Sequence, residues 1–241
     1  MIEKWNERTF LLIGSEGVKK LSKAHILVVG LGGVGAYSAE MLCRAGVGEL
    51  TIVDGDVVNI SNKNRQLLAL TSTFGKSKAE IMKDRLFDIN PNLKLSVINE
   101  YLIDEKIDTL IKASKYDYVI DAIDTIAPKV FLIFTALKNN LKIVSSMGAG
   151  GKLDPTKIHI SEIEKTHQCR LAFIIRKRLH KLGVRSGFKA IYSTEIVPKE
   201  AIVINEIQEK NKLTTVGTIS YLPAIFGCFA ASVVINYLIS E

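Results

Sequence analysis

Cysteine is scarce in this chain of 241 residues: only Cys43, Cys169 and Cys228 occur, far apart and with no Cys-x-x-Cys pair. That scarcity excludes a disulfide framework, and it excludes a four-cysteine zinc site, whose ligands come in close pairs. A reducing, cytoplasmic setting fits best. Residues 1–10 are of mixed charge and lack the apolar stretch of a secretory signal. No repeat or low-complexity linker divides the chain. Charge is missing altogether from residues 213–240. A bilayer takes ~20 apolar residues, so that stretch is long enough to span one. Thr214, Thr215, Gly217, Thr218, Ser220, Pro223, Gly227 and Asn236 interrupt it, however, and no basic cluster flanks it closely. A loop followed by a helix buried against the sheet or a dimer partner is the expectation, with membrane contact as the alternative.

The residues present describe a globular protein. A composition 47% hydrophobic and 24% charged suits one domain with a sizeable core. The formal net charge is +7, which fits either a generally basic protein or one with a polyanionic partner such as nucleic acid.

Short apolar, β-branched runs at 24–30, 49–54, 93–99, 116–121 and 141–145 read as strands. Stretches of helical spacing alternate with them at 32–45, 76–88, 104–113 and 128–139, the last with proline in its first turn. This alternation predicts an α/β, Rossmann-like, doubly wound and mostly parallel sheet. Further strands are expected at 157–163 and 190–197, with a basic helix over 171–182 between them. We read residues 1–241 as a single domain, with a nucleotide-binding half over 1–150 and an extension over 151–241.

Gly30-Leu31-Gly32-Gly33-Val34-Gly35 matches G-x-G-x-x-G between the first strand and the first helix. Glycines there let the backbone approach a phosphate, and the helix N-terminus attracts its negative charge. Asp54 ends the next strand, nineteen residues after Gly35, where an acid can hold a ribose hydroxyl. Taken alone, these features favour an NAD-dependent oxidoreductase.

The residues further along shift that reading. Asp56, Asn62, Arg65 and Gln66 follow Asp54, Lys78 opens a helix, and Asp124 follows the strand at 116–121. Carboxyl ends of strands line one crevice in an open α/β sheet, so these residues should converge with the glycine loop. Arg65 and Lys78 could neutralise a triphosphate, and Asp124 could hold Mg²⁺ through oxygen. Hydride transfer needs neither. Residues 176–189 hold Arg176, Lys177, Arg178, Lys181, Arg185 and Lys189, with His180 and no acid. Such a run is either a solvated face or a track for a phosphate backbone.

With these residues the chain resembles the ubiquitin-activating-type, ThiF-like adenylyltransferase superfamily, which includes the molybdopterin and thiamine sulfur-carrier activators. The resemblance assigns Gly32 and Gly35 to the phosphate loop and Asp54 to the ribose. It assigns Asn62, Arg65 and Lys78 to the triphosphate and Asp124 to magnesium. It also makes Arg8 an arginine that reaches the partner subunit's site in a homodimer. Asn64-Arg65-Gln66, residues 121–124, residues 148–155 and Tyr192-Ser193-Thr194-Glu195 resemble, within that superfamily, the tRNA threonylcarbamoyladenosine dehydratases. That implies ATP and Mg²⁺ as cofactors, tRNA as a partner contacted by residues 176–189, and in some relatives sulfur-relay proteins or a membrane. The sequence departs from the sulfur-carrier activators in lacking their paired zinc cysteines. Cys169 is the one cysteine near where a thioester cysteine would sit, and it is expected to be structural or incidental. Adenylation of a small carrier protein's C-terminus is the alternative activity.

Overall fold

The computed structural model describes residues 4–209 and 212–241, with 204–209 and 212–214 described by backbone alone. Residues 1–3 of the N-terminal reading, and the side chains of Leu213 and Thr214 in the uncharged stretch, lie outside the described residues. Seven strands form one sheet: β1 (His25–Val29), β2 (Glu49–Val53), β3 (Lys94–Ile98), β4 (Tyr118–Asp121), β5 (Ile143–Ser146), β6 (Ile158–Glu162) and β7 (Lys189–Ser193). Their order is β3-β2-β1-β4-β5-β7-β6. Every neighbouring pair is parallel except β6–β7. The expected doubly wound sheet is therefore present, with one antiparallel edge strand.

Helices cover both faces, which is why β1 and β4 are buried along their whole length and read as unbroken apolar runs. On one face, α1 (Glu7–Lys23), α2 (Gly35–Ala45), α3 (Lys78–Ile89) and α7 (Tyr221–Ser240) share a core with Ile26, Val28, Leu50 and Ile52. On the other, α4 (Asp104–Ala113), α5 (Ile126–Lys138) and α6 (Arg170–Lys181) pack on Leu27, Val29, Val119 and Ile143. Alternate residues of one strand thus serve opposite cores.

The uncharged stretch resolves into three parts. Its start, expected as loop, belongs to β9 (Lys212–Val216), which pairs antiparallel with β8 (Ile202–Glu209) in a separate hairpin. Thr214, Thr215 and Val216 are β-branched, and that local preference fits a strand better than a loop. A short connection follows, then α7. Leu222, Phe226, Ala230 and Val234 of α7 are fully buried. Ser38 of α2 donates to the Gly227 carbonyl at 3.1 Å, so α7 packs closely on α2 as a core helix. Burying each such apolar side chain contributes about 1.5–3 kcal/mol.

Other boundaries move for local reasons. α1, which the mixed-charge N-terminus conceals, is broken at Gly14, whose φ is +70°. α2 begins at Gly35, after a turn formed by the preceding glycines. α3 begins at Lys78 because Ser77 accepts the Glu80 amide and caps it. The strand expected over 190–197 stops at Ser193.

Candidate active site

β1 runs into Gly30, whose φ is +90°; a Cβ there would lie 2.8 Å from the Ala122 carbonyl oxygen. At Gly35 a Cβ would lie 1.7 Å from the Gly30 oxygen. These two glycines are required by the turn itself. Gly32 differs: a Cβ there would meet nothing nearer than Gln66 Nε2 at 3.8 Å. The space beside Gly32 is what a phosphate would occupy, and it faces the N-terminus of α2. Gly33 packs against Pro223 of α7 and the backbone of Arg65, bringing the 59–66 loop against the glycine loop.

Asp54 braces this arrangement. Its Oδ2 accepts the Leu31 amide at 2.6 Å and its Oδ1 accepts the Asp56 amide at 2.7 Å. Burial pushes its carboxyl above the usual range, against the opposing pull of Lys78 and those two amides. Each oxygen retains a second lone pair, so a ribose hydroxyl can still donate to it.

Lys78 is almost wholly buried, and its ammonium sits 3.0 Å from Asp56 Oδ2. Tyr101 donates its hydroxyl to the other oxygen of Asp56 at 2.6 Å. Asp56, expected as a nucleotide contact, therefore aims the lysine. Tyr101 has the same supporting role, and no motif in the sequence signals it.

Arg65 donates to the Ser61 carbonyl at 2.9 Å and to Asn64 Oδ1 at 2.8 Å. Desolvation lowers its pKa while Asp124 opposes that shift, which sets the guanidinium and the Asp124 carboxylate within electrostatic reach of each other. Asn62 is buried; its Oδ1 accepts the Asn59 amide at 3.1 Å, and its carbonyl accepts the Arg65 and Gln66 amides. It shapes the loop that presents Arg65. Gln66 carries a buried Oε1 with no hydrogen-bond partner among the described residues. The Gln66 atom that faces Gly32 is the amide nitrogen, a donor that a phosphate oxygen could accept.

Asp124 lies exposed on the turn between β4 and α5. That turn is anchored from below by a pair that the sequence motifs do not reveal. Asp121 and Lys129 are both fully buried, 2.8 Å apart. Ser145 donates to Asp121 at 2.6 Å, and Lys129 also donates to the Ile123 carbonyl at 2.9 Å. A signal is present all the same: Lys129 is a lone cation inside the apolar helix Ile126–Lys138.

Magnesium commonly takes one or two carboxylates, with phosphate oxygens and waters completing its octahedron. Among the described residues no group of three or more metal-ligating side chains occurs. A single exposed carboxylate, Asp124, within electrostatic reach of Arg65 suits that mode.

Arg8 stands exposed on α1 and makes no hydrogen bond or ion pair among the described residues. The structure does not bring it to this cluster. The basic segment also divides. Arg176 turns inward, donating to the Thr166 carbonyl at 2.7 Å and to the Thr166 hydroxyl. Lys189 borders a cavity with Ser232, Asn236 and Tyr237 of α7, on the opposite face of the sheet from α6. Lys177, Arg178, Lys181 and Arg185 remain as the exposed basic surface of the segment. Cys169 is buried near Lys152, whose pKa is lowered by burial and raised in part by Cys169 and Glu195. That burial suits the structural role expected of Cys169.

The glycine loop, an acid at the end of β2 and two cations beside it are the features of a nucleotide-binding α/β enzyme, and the chain belongs to the ThiF family, whose model matches residues 6–241. It is 42% identical over 199 residues to the tRNA threonylcarbamoyladenosine dehydratase of Bacillus subtilis (strain 168), covering 83% of this chain and 76% of that one. Identity to the dehydratase of Escherichia coli (strain K12) is 38% over 203 residues, or 80% and 75% of the two chains. The crystal structure of the Escherichia coli dehydratase in complex with ATP superposes with a TM-score of 0.89 at 33% identity, covering 98% of this chain and 94% of that one.

Proposed function

We propose that this chain uses ATP to dehydrate threonylcarbamoyladenosine in tRNA, closing its side chain into a ring. The carrying observation is the convergence of Gly32, Asp54, Arg65, Lys78 and Asp124 on one crevice, in a chain similar to named dehydratases over nearly its whole length. A carboxylate oxygen attacks the α-phosphorus of ATP, and the bond to pyrophosphate breaks. The neighbouring carbamoyl group then attacks the acyl carbon of the adenylate, loses its proton, and AMP leaves with the former carboxylate oxygen. The internal nucleophile makes an enzyme thiol unnecessary, consistent with a buried Cys169.

In this reading the residues position groups and offset charge. Asp54 holds the ribose. Gly30, Gly32, Gly33, Gly35 and the α2 N-terminus cradle phosphates. Lys78, aimed by Asp56, and Arg65 neutralise the transferring phosphoryl group. The side-chain amide of Gln66, whose nitrogen faces Gly32, donates to a phosphate oxygen, and Asn62 fixes the loop. Asp124 holds Mg²⁺, which supplies further charge neutralisation at the phosphates. Arg8, exposed and without a hydrogen bond or ion pair among the described residues, reaches the site of a second copy in a homodimer.

The exposed cations of α6 and the turn after it contact tRNA, which sets the protein in the cytoplasm. Sulfur-relay proteins and membrane contact through residues 213–240 are secondary proposals; the buried face of α7 supports a core role for that helix first. The alternative activity, adenylation of a sulfur carrier, is less favoured. The sulfur-carrier adenylyltransferases of Escherichia coli match only 46% and 58% of this chain.

Labelled ATP incubated with the protein and either bulk tRNA or a carrier protein tests the proposal. AMP release driven by tRNA is the expected result. Release driven only by a carrier protein would sink it.

A further inference from the structure

Three rings outside the catalytic crevice form a cluster to which the proposed chemistry gives no role. Tyr192 of β7 is buried, and its ring centroid lies 5.7 Å from those of both His159 and His167. The two imidazoles are 6.3 Å apart, and both residues are exposed. The Tyr192 hydroxyl and His167 Nδ1 are in hydrogen-bond contact at 3.2 Å. A buried phenol thus holds the His167 imidazole and stands beside that of His159.

Strand register locates the cluster. Asp121 aligns with Ser145, Ser145 with Ala190, and Tyr192 with His159, two residues nearer the carboxyl edge. The rings therefore stand level with the 122–125 turn that carries Asp124. Three strand spacings, about 14 Å in all, separate β6 from β4. Tyr192 belongs to the same apolar core as α5 and α6, so the cluster lies on their face of the sheet. Arg176 ties α6 to Thr166, the residue before His167. Leu171, in the first turn of α6, packs beside Gly148 in the loop after β5. An aromatic surface is thereby placed at the sheet edge beside a basic helix, on the same carboxyl end of the strands as the crevice.

We propose that His159 and His167, seated on Tyr192, are a stacking platform for an unpaired nucleobase of the RNA substrate, a few nucleotides from the one that reacts. The inference rests on the tRNA reading above. Proteins recognise single-stranded RNA loops by stacking splayed bases on aromatic side chains, histidine included. The neighbouring cations on α6 supply the phosphate contacts that such a site also needs.

The test uses the whole protein and a synthetic anticodon stem-loop, with a fully paired RNA duplex of equal charge as control. The paired variant His159→Ala/His167→Ala should weaken stem-loop binding by about tenfold or more. It should raise the KM for tRNA and leave that for ATP unchanged. His159→Phe/His167→Phe keeps two π-faces and should restore binding, while duplex binding should not respond to either variant. Stem-loop binding by the alanine variant equal to wild type overturns the inference, and so does a phenylalanine variant as weak as the alanine one. If wild-type protein releases no AMP in response to tRNA, the functional reading falls and this inference with it; a tRNA response with an unaffected alanine variant removes this inference alone.

Discussion

Lys129 Nζ lies 2.8 Å from Asp121 Oδ2 with both side chains wholly out of solvent, directly beneath the turn that presents Asp124. Removing one partner of such a pair leaves an uncompensated buried charge, which costs about 3–5 kcal/mol. Lys129→Met should therefore lower the unfolding free energy by that much. Adding Asp121→Asn should recover a large part of it, because no net charge then remains buried. Urea unfolding of the two variants checks both statements. Equal stability of Lys129→Met and wild type would show that the pair does not brace the turn.

Arg65 and Asp124 are the two site residues least engaged in the core. Arg65→Ala and Asp124→Asn should each cut tRNA-stimulated AMP release by ~10²–10³-fold, the scale seen when one preorganised charge-stabilising group is lost. Thermal unfolding of both should stay close to wild type, since neither is buried. Normal turnover in both would show the site to be wrongly assigned.

The legible parts of this molecule are those whose residues serve a repeating or steric rule. The alternation of strands with helices over β1–β5 reads directly: β1, β2, β4 and β5 are buried and mostly apolar, and β3 at the edge alternates. Gly30 and Gly35 read because only glycine fits where they stand. The supporting interactions are not legible. Tyr101 reaches Asp56 across 45 residues of sequence, and Lys129 reaches back to Asp121 from inside a helix. Nothing in the local pattern encodes such partners. The charge run at 176–189 misleads for the same reason. Spacing along the chain does not show that a turn and a new strand carry Lys189 to the other face of the sheet, or that Arg176 folds back on Thr166.

The glycine loop permits a separation of folding from binding. Gly35→Ala forces a Cβ into the Gly30 carbonyl and should yield a markedly destabilised or insoluble protein. Gly32→Ala meets only a side-chain nitrogen at 3.8 Å, so it should fold normally and raise the KM for ATP. Soluble expression with melting curves reads the first, and titration with ATP the second. Unaltered ATP affinity in Gly32→Ala would remove Gly32 from the phosphate site.

Glu40 on α2 is nearly buried and receives Arg44 at 2.8 Å and Arg85 from α3. Burial pushes its carboxyl up, but the hydrogen bonds and charges of the two arginines outweigh this and leave it below the ordinary range. Such a group binds fewer protons folded than unfolded. Its contribution is complete above the usual carboxylate range and is lost as pH falls through its folded value. Both arginines are about half exposed, so solvent screening keeps the effect modest. Wild type should lose stability between neutral and acid pH relative to Glu40→Gln, measured by denaturant unfolding across pH. Parallel curves for the two proteins would contradict it.

The basic surface makes a graded prediction, because its members stand in different places. Lys177, Arg178, Lys181 and Arg185 are exposed on α6 and the turn after it. Replacing any one by alanine should weaken tRNA binding uniformly across sequences and reduce the slope of log K against log salt by roughly one for each phosphate no longer neutralised. Lys189, on the α7 side of the sheet, should leave the slope unchanged when replaced. Arg176→Ala should act on folding instead, since it removes the donor that holds Thr166 and with it the approach of α6 to residues 163–167. Filter binding over a salt series, with melting curves for each variant, separates these three outcomes. An equal change of slope at Lys189 and Lys181 would mean that the RNA wraps the edge of the sheet rather than following α6.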